Sequence, residues 1–515
     1  MNRLRGSDSW SLFFNMANNM IRRQSLVSST FTYLGFAIGA VNILVLFPRY
    51  FSPEQFGLTR ILLDVAMLLS TICTLGSIPI VLKFFPLYKK NTPDGRNDLP
   101  WLSIGLVTLG CLVTLLILPW MKPWIIRKFG SKSPLFVDYF DLLYPFTITL
   151  AYFSLFEAYA WSLRKTILSN ILKEFAFRLL TTILIFLFIA GIVKYNQFIA
   201  LYAWIFLLPV IIFLLMMFRE KLLVPVFRPS ILTRRIRFKM LSFGGFLFAG
   251  AVLNIIARTN DTIIIASQSQ GGLKDAAVFT IATYLVTVME VPQRSLVSIT
   301  TPLIASAWRS KNISLINRLY QKTSLNLMIA GLGIFGLVML NIREISNLLG
   351  PAYASLAVIV LISGIAKLID LSTGLNTQIL LLSKYWKLDF LTNMLFVALS
   401  IPLNYWLTKQ FNSLGPAYGN LIALIIFNGI RFGMIWKLFG LQPFTWNNLK
   451  ALFLAIALFA PIWFIGELFS PMTGMVVKSM LFSALFGFFI LRWNVSSDLN
   501  DLFRVALKRC SKFNN

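Results

Sequence analysis

Apolar residues fall along the chain in runs of about twenty, recurring from residue 25 to residue 491 with only short polar interruptions. A run of that length crosses the ~30 Å hydrocarbon core as an α-helix rising ~1.5 Å per residue, and lipid offers the backbone no partner but itself. The windows lie near 25–47, 58–82, 102–119, 142–163, 171–192, 198–217, 242–266, 276–304, 324–349, 354–381, 388–407, 414–436, 449–466 and 472–491. The pattern predicts an all-α polytopic membrane protein of about fourteen transmembrane helices. Residues Met1–Gln24 lack the short apolar core of a secretory signal, although Trp10, Leu12, Phe13 and Met16 form a candidate interfacial face.

The basic residues between the windows set the orientation. With the N-terminus on the cytoplasmic side, the 47 Lys+Arg divide into 31 in inside segments, 9 outside and 7 within spans. That bias predicts both termini inside and an even number of spans. The most basic connection, Arg219–Lys239, follows span six and splits the chain into two six-helix lobes with a pseudo-two-fold relation, plus two extra helices. The expected organisation is a cytoplasmic N-terminal segment 1–24, an N-lobe 25–217, a basic cytoplasmic connection 218–240 and a C-lobe 241–438. Spans thirteen and fourteen at 447–491 and a basic cytoplasmic tail 492–515 complete it. In that tail, Leu499, Leu502, Phe503 and Ala506 share one helical face suited to lying on the inner leaflet.

Charge changes the picture less than its total suggests. A formal net charge of +28 in a soluble domain would point to nucleic acid; here it sits in short loops, so membrane lipids are the expected partner and nucleic acid is not. There is no histidine, which excludes Ser/His/Asp triads, imidazole metal ligation and histidine proton relays. Cys73, Cys111 and Cys510 lack the paired spacing of a metal or redox site and read as packing residues. No P-loop pattern is visible, and neither a metal nor another cofactor is expected.

Candidate chemistry lies in the charges inside the spans. Each costs ~2.5–3.5 kcal/mol on insertion scales, so such residues turn towards protein or a water-filled interior. Arg178, Arg431 and Lys478 sit near enough to a membrane face to snorkel, and Glu174–Arg178 is an i,i+4 pair. Arg294 and Lys367 lie deeper, and Arg60, Arg258, Arg294 and Lys367 each have an acid nearby: Asp64, Asp261, Glu290 and Asp370. The span 276–302 carries Glu290-Val-Pro-Gln-Arg294 near its middle, where Pro292 favours a kink. The Glu290–Arg294 pair is either a self-neutralising clamp between helices or part of a polar lumen wall. Glu157 has no basic partner in its own helix; it is either paired across helices or protonated, and it is the candidate for ion coupling.

Three sets of residues carry a family resemblance: Phe51-Ser-Pro-Glu-Gln-Phe-Gly-Leu58 opening span two, Asn260-Asp261-Thr-Ile-Ile-Ile265 in span seven, and Ile401-Pro-Leu-Asn404 with Leu414-Gly-Pro-Ala-Tyr-Gly-Asn420 around spans eleven and twelve. With the fourteen-span plan, over roughly residues 20–490, the chain resembles the O-antigen-type polysaccharide flippases of the multidrug/oligosaccharidyl-lipid/polysaccharide exporter superfamily. The resemblance implies two lobes around an alternately opening cavity, in the bacterial inner membrane. It implies a non-enzymatic carrier whose cargo is a lipid-linked oligosaccharide, beside a polysaccharide polymerase and glycosyltransferases. In such a carrier a cationic lumen receives the lipid pyrophosphate, a role open here to Arg60, Arg258, Arg294 and Lys367. Competing expectations are a lipid II flippase, a cation-coupled multidrug exporter of the same superfamily and, in another class, a membrane glycan polymerase or ligase. Span one holds no acid, which disfavours the drug exporter, and the longest outward segment, Trp120–Asp141, is short for an acceptor site.

Overall fold

The computed structural model describes residues 30–91, 97–224, 226, 229–501 and 504. The N-terminal segment 1–24 and the Leu502, Phe503 and Ala506 positions of the tail face lie outside the described residues, as does Cys510. Among the described residues there is no strand, and with broken helices taken as one and the shortest turns set aside, fourteen helical segments follow one another. They are α1 (Thr30–Tyr50), α2 (Pro53–Cys73 and Ser77–Asn91), α3 (Leu99–Phe129), α4 (Leu143–Ser162), α5 (166–189), α6 (Tyr195–Arg219) and α7 (Ile231–Gln268). Then come α8 (Leu273–Thr287 and Glu290–Arg309), α9 (Ile313–Leu349), α10 (Leu356–Ser372 and Asn376–Leu381), α11 (Trp386–Phe411), α12 (Gly415–Phe439), α13 (Trp446–Gly466) and α14 (Pro471–Arg492). Among the described residues ten helical runs are long and apolar enough to cross a bilayer, up to eleven with the bent pair in α8, and one of them holds both α11 and α12. The chain is a multi-pass membrane protein.

Contacts within the chain divide it into Met1–Thr259 and Asn260–Asn515, with the boundary inside α7. In the first unit, the start of α2 shows how sequence sets structure. Ser52 accepts from the Gln55 amide at 3.2 Å while the Gln55 side chain accepts from the Ser52 amide at 3.0 Å, with Pro53 in the first turn. This capping box is what Phe51-Ser-Pro-Glu-Gln encodes, and it starts the helix that carries Arg60 and Asp64. The helix breaks at Thr74–Gly76, where Gly76 has φ +77° and a Cβ would lie 2.6 Å from the Gly244 carbonyl oxygen. Only glycine satisfies both demands, which lets α7 pack onto the break. The start of α7 is fastened to the same unit, because Asp98 accepts from the Ser230 amide at 2.8 Å and the Thr233 hydroxyl at 2.7 Å.

In the second unit, α11 and α12 form a tight hairpin. A Cβ on Gly415 would lie 2.3 Å from the Thr408 amide nitrogen, and one on Gly419 would lie 2.0 Å from Asn404 Oδ1. Helices α9, α13 and α14 share an apolar core of Leu325, Leu340, Leu454, Phe482 and Phe486. After α14 the chain docks on α9: Asp498 accepts from Lys322 and, at 3.1 Å, from Asn326. Partial burial raises the Asp498 carboxyl, but the Lys322 and Asn326 hydrogen bonds outweigh it and hold the group below the usual carboxylate range. A depressed folded pKa gives stability above the unfolded value of ~4 that is lost as pH falls through the folded pKa. Asp498→Asn is therefore expected to lower the thermal midpoint at neutral pH and to converge with wild type as pH falls through the lowered folded pKa. A thermal unfolding series over pH checks this, and a constant gap down to the lowest pH refutes it.

Candidate functional site

The second unit brings four of the sequence-derived residues into one connected network. Glu290 Oε2 accepts from Arg294 at 3.3 Å and its Oε1 from Lys367 at 3.0 Å, while Lys367 also reaches Asp370 at 2.9 Å. The i,i+4 and i,i+3 pairs were legible in the spacing; the Glu290–Lys367 bridge between α8 and α10 was not. Asp370 in turn lies within electrostatic reach of Arg431. Lys367 is the most enclosed of the four at 15 % side-chain exposure, and Arg294 the most open at 55 %.

The local fold explains the placement. The halves of α8 meet at a 46° bend between Thr287 and Glu290, one turn before Pro292, whose missing N–H and ring crowding of the Val288 carbonyl favour a kink there. Glu290 opens that half, where exposed helix-start N–H groups favour a carboxylate. Met289, Leu327 and Leu371 pack beneath the bend. On α10, Lys367 and Asp370 sit one turn above the break at Thr373–Leu375, where Gly374 has φ +61°.

Two cations expected to snorkel are instead buried. Arg431 on α12 is fully enclosed and pairs with Asp389 of α11, donating also to Thr392 at 3.0 Å and to Thr377 beyond the α10 break. Asn428, one turn earlier, accepts from the side chains of Thr373 at 3.0 Å and Asn376 at 2.9 Å, so α12 is hydrogen-bonded to residues on both sides of the break in α10. Lys478 on α14 is 1 % exposed and pairs with Glu344 of α9 at 2.5 Å. Both stems are too deeply packed to reach a membrane face; an acid on a neighbouring helix supplies what water would have. Arg178 keeps its Glu174 partner at 2.8 Å.

The remaining sequence candidates separate. In the first unit, Arg60 and Asp64 are half-buried one turn apart on α2, and Arg60 Nε is buried with no hydrogen-bond partner. Glu157 is paired across helices, accepting from Ser169 at 2.9 Å and Lys173 at 3.0 Å, which decides the alternative its own helix left open. Arg258 is exposed on α7. Asp261, in the second unit, accepts from Asn404 at 2.7 Å and Asn420 at 2.6 Å. The motif residues of spans seven, eleven and twelve thus converge on one hydrogen-bonded clasp. Among the described residues no group of three or more His, Cys, Asp or Glu is placed to hold a metal ion.

Beside the charge network runs an apolar groove of about 1190 Å³ lined by α9, α10, α13 and Phe482 of α14. Leu361, Ile365 and Leu368 of α10 face it, along with Leu332, Phe335, Ala455 and Phe459. Arg343, Ser346 and Asn347 mark one end and Ser372 lies towards the other, so the groove follows most of the length of α9 and α10. One helix, α10, therefore offers a charged side to α8 and a greasy side to the groove.

A family described as polysaccharide biosynthesis protein matches residues 21–308. No curated protein matches the sequence. Among solved structures, the chain is similar to the lipid II flippase MurJ in an inward closed conformation, with a TM-score of 0.68 at 13% identity over 91% of this chain and 98% of that one. It is similar also to an inward-facing multidrug resistance MATE transporter of the MOP superfamily, with a TM-score of 0.61 at 15% identity over 79% and 95% of the two chains. A third, the Vibrio cholerae MATE transporter VcmN, gives a TM-score of 0.52 at 13% identity over 82% and 96%. The fold is that of these membrane transporters.

Proposed function

This chain belongs to the polysaccharide biosynthesis protein family, and we propose that it is a flippase carrying a polyprenyl-pyrophosphate-linked oligosaccharide from the cytoplasmic to the outer leaflet of a bacterial inner membrane. The observation that carries the reading is the two-sided α10, with Lys367 and Asp370 joined to Glu290 and Arg294 on one side and the long apolar groove on the other. A lipid pyrophosphate needs both surfaces. Arginine grips phosphate oxygens through a planar fork and lysine as a compact point charge. Within a membrane interior these donors replace part of the water that the head group gives up. An apolar groove takes an isoprenoid chain that water rejects, at ~25 cal/mol per Å² buried.

Alternating access would move the head group across while the tail stays in apolar surroundings. An inside-negative potential favours outward movement of the anion by ~2.3 kcal/mol per charge per 100 mV. The cytoplasmic termini, a lobe division at the 218–240 connection and an ion-coupling role for Glu157 belong to the same proposal.

Filling the groove tests the reading without touching a charge. Ala357 lines it from α10, and Ala357→Trp is expected to reduce surface glycan about tenfold at unchanged protein abundance, equivalent to ~1.4 kcal/mol of lost cargo binding. Undiminished surface glycan, quantified by lectin or antibody on whole cells, would remove the groove from the transport path.

A further inference from the structure

Glu290 stands where a ligand anion would. It offers one oxygen to the guanidinium of Arg294 and the other to the ammonium of Lys367, at 3.3 and 3.0 Å, as a phosphate group would. The four network side chains, Arg294, Glu290, Lys367 and Asp370, carry two positive and two negative charges, so at rest the network presents no net attraction to an arriving anion. Nor does losing Glu290 strand a buried charge. Lys367 retains Asp370 at 2.9 Å, and Arg294 is more than half exposed.

The same carboxylate joins two helices. Glu290 is the first residue of the second half of α8, immediately after the 46° bend, and its bond to Lys367 ties that half to α10. We propose that Glu290 is an internal counter-anion whose oxygens occupy, against Arg294 and Lys367, the positions that pyrophosphate oxygens take, so that the cargo binds by displacing it and thereby unfastens the second half of α8 from α10. This deepens, and rests on, the reading of the chain as a carrier of lipid pyrophosphate. Cargo binding and helix release then become one event, because the bond that is broken at the hinge is the bond that is replaced at the phosphate. A ligand shifts a conformational equilibrium only through contacts it makes differently in the two states, and this exchange supplies such a difference.

Removing an acid from a merely structural ion pair weakens the site. Removing a competing anion strengthens it. The experiment is a binding titration of the purified full-length protein with farnesyl pyrophosphate and, in parallel, inorganic pyrophosphate, for wild type, Glu290→Gln, Glu290→Asp and Arg294→Ala. The expected result is that Glu290→Gln binds both ligands about tenfold more tightly than wild type, a gain of ~1.4 kcal/mol, with Glu290→Asp between them. Arg294→Ala should bind more weakly. If Glu290→Gln does not yield folded protein, the gain in Glu290→Asp alone decides. Wild type binding that depends on Arg294 with no gain in either Glu290 variant overturns the displacement and leaves the carrier reading standing. Absence of any pyrophosphate binding by wild type overturns both.

Discussion

Arg431→Met is expected to be the most destabilising single change in the second unit, lowering stability by ~3–5 kcal/mol, a large part of the ~5–15 kcal/mol that a folded protein has in hand. The guanidinium is fully enclosed and serves Asp389, Thr392 and Thr377 together. Removing it leaves the Asp389 carboxylate buried without its cation and the short helix beyond the α10 break without its anchor. The partner test separates these costs. Arg431→Met with Asp389→Leu removes both charges and should recover most of the loss, because two apolar groups of suitable volume replace a desolvated pair at little net cost. Thermal unfolding in detergent, followed by tryptophan fluorescence or size exclusion, measures both variants. A single variant as stable as wild type would show that Arg431 is not the organising group of α10–α12.

Arg431 also marks what could be read from sequence and what could not. Periodicity and apolar run length gave the helices, because in lipid the backbone has no alternative to internal hydrogen bonding. Pairings inside one helix were legible at three- and four-residue spacing, as with Lys367–Asp370, Glu290–Arg294 and Glu174–Arg178. Pairings between helices were not, since spacing holds no information on which faces meet. Lys367–Glu290, Arg431–Asp389, Lys478–Glu344 and Glu157–Lys173 are all of this kind. A signal was present in the chain: a cation deep in an apolar run requires an anion, and Glu344 and Asp389 were acids near span ends with no partner assigned. The bend in α8 was legible as well, since it falls one turn before Pro292, where the proline removes a backbone bond, and Met289, Leu327 and Leu371 pack against it. The motif residues Asp261, Asn404 and Asn420 marked real positions, yet their meeting in one clasp required the fold.

The largest functional effect is expected at the charge network. Glu290→Gln with Arg294→Gln removes one charge of each sign, so the enclosed Lys367 keeps Asp370 and the membrane interior gains no unpaired ion. The protein should insert and remain near wild-type stability. Transport should nevertheless be lost by at least about a hundredfold, the equivalent of ~2.7 kcal/mol, because neither the phosphate fork nor the displaceable counter-anion remains. Were the pair a structural clamp only, the same double change would be neutral, since the penalty of a lone charge disappears when both members go.

Flipping of a fluorescent polyprenyl-pyrophosphate disaccharide in proteoliposomes is the direct measurement. Lipid exposed on the far leaflet is read by quenching from outside, with wild type and the Glu290→Gln, Arg294→Gln variant reconstituted at equal density. Labelled lipid should appear rapidly with wild type, and the rate with the variant should be indistinguishable from that of protein-free vesicles. Wild-type flipping rates from the double variant would contradict this expectation and leave the Glu290–Arg294 pair as structure alone.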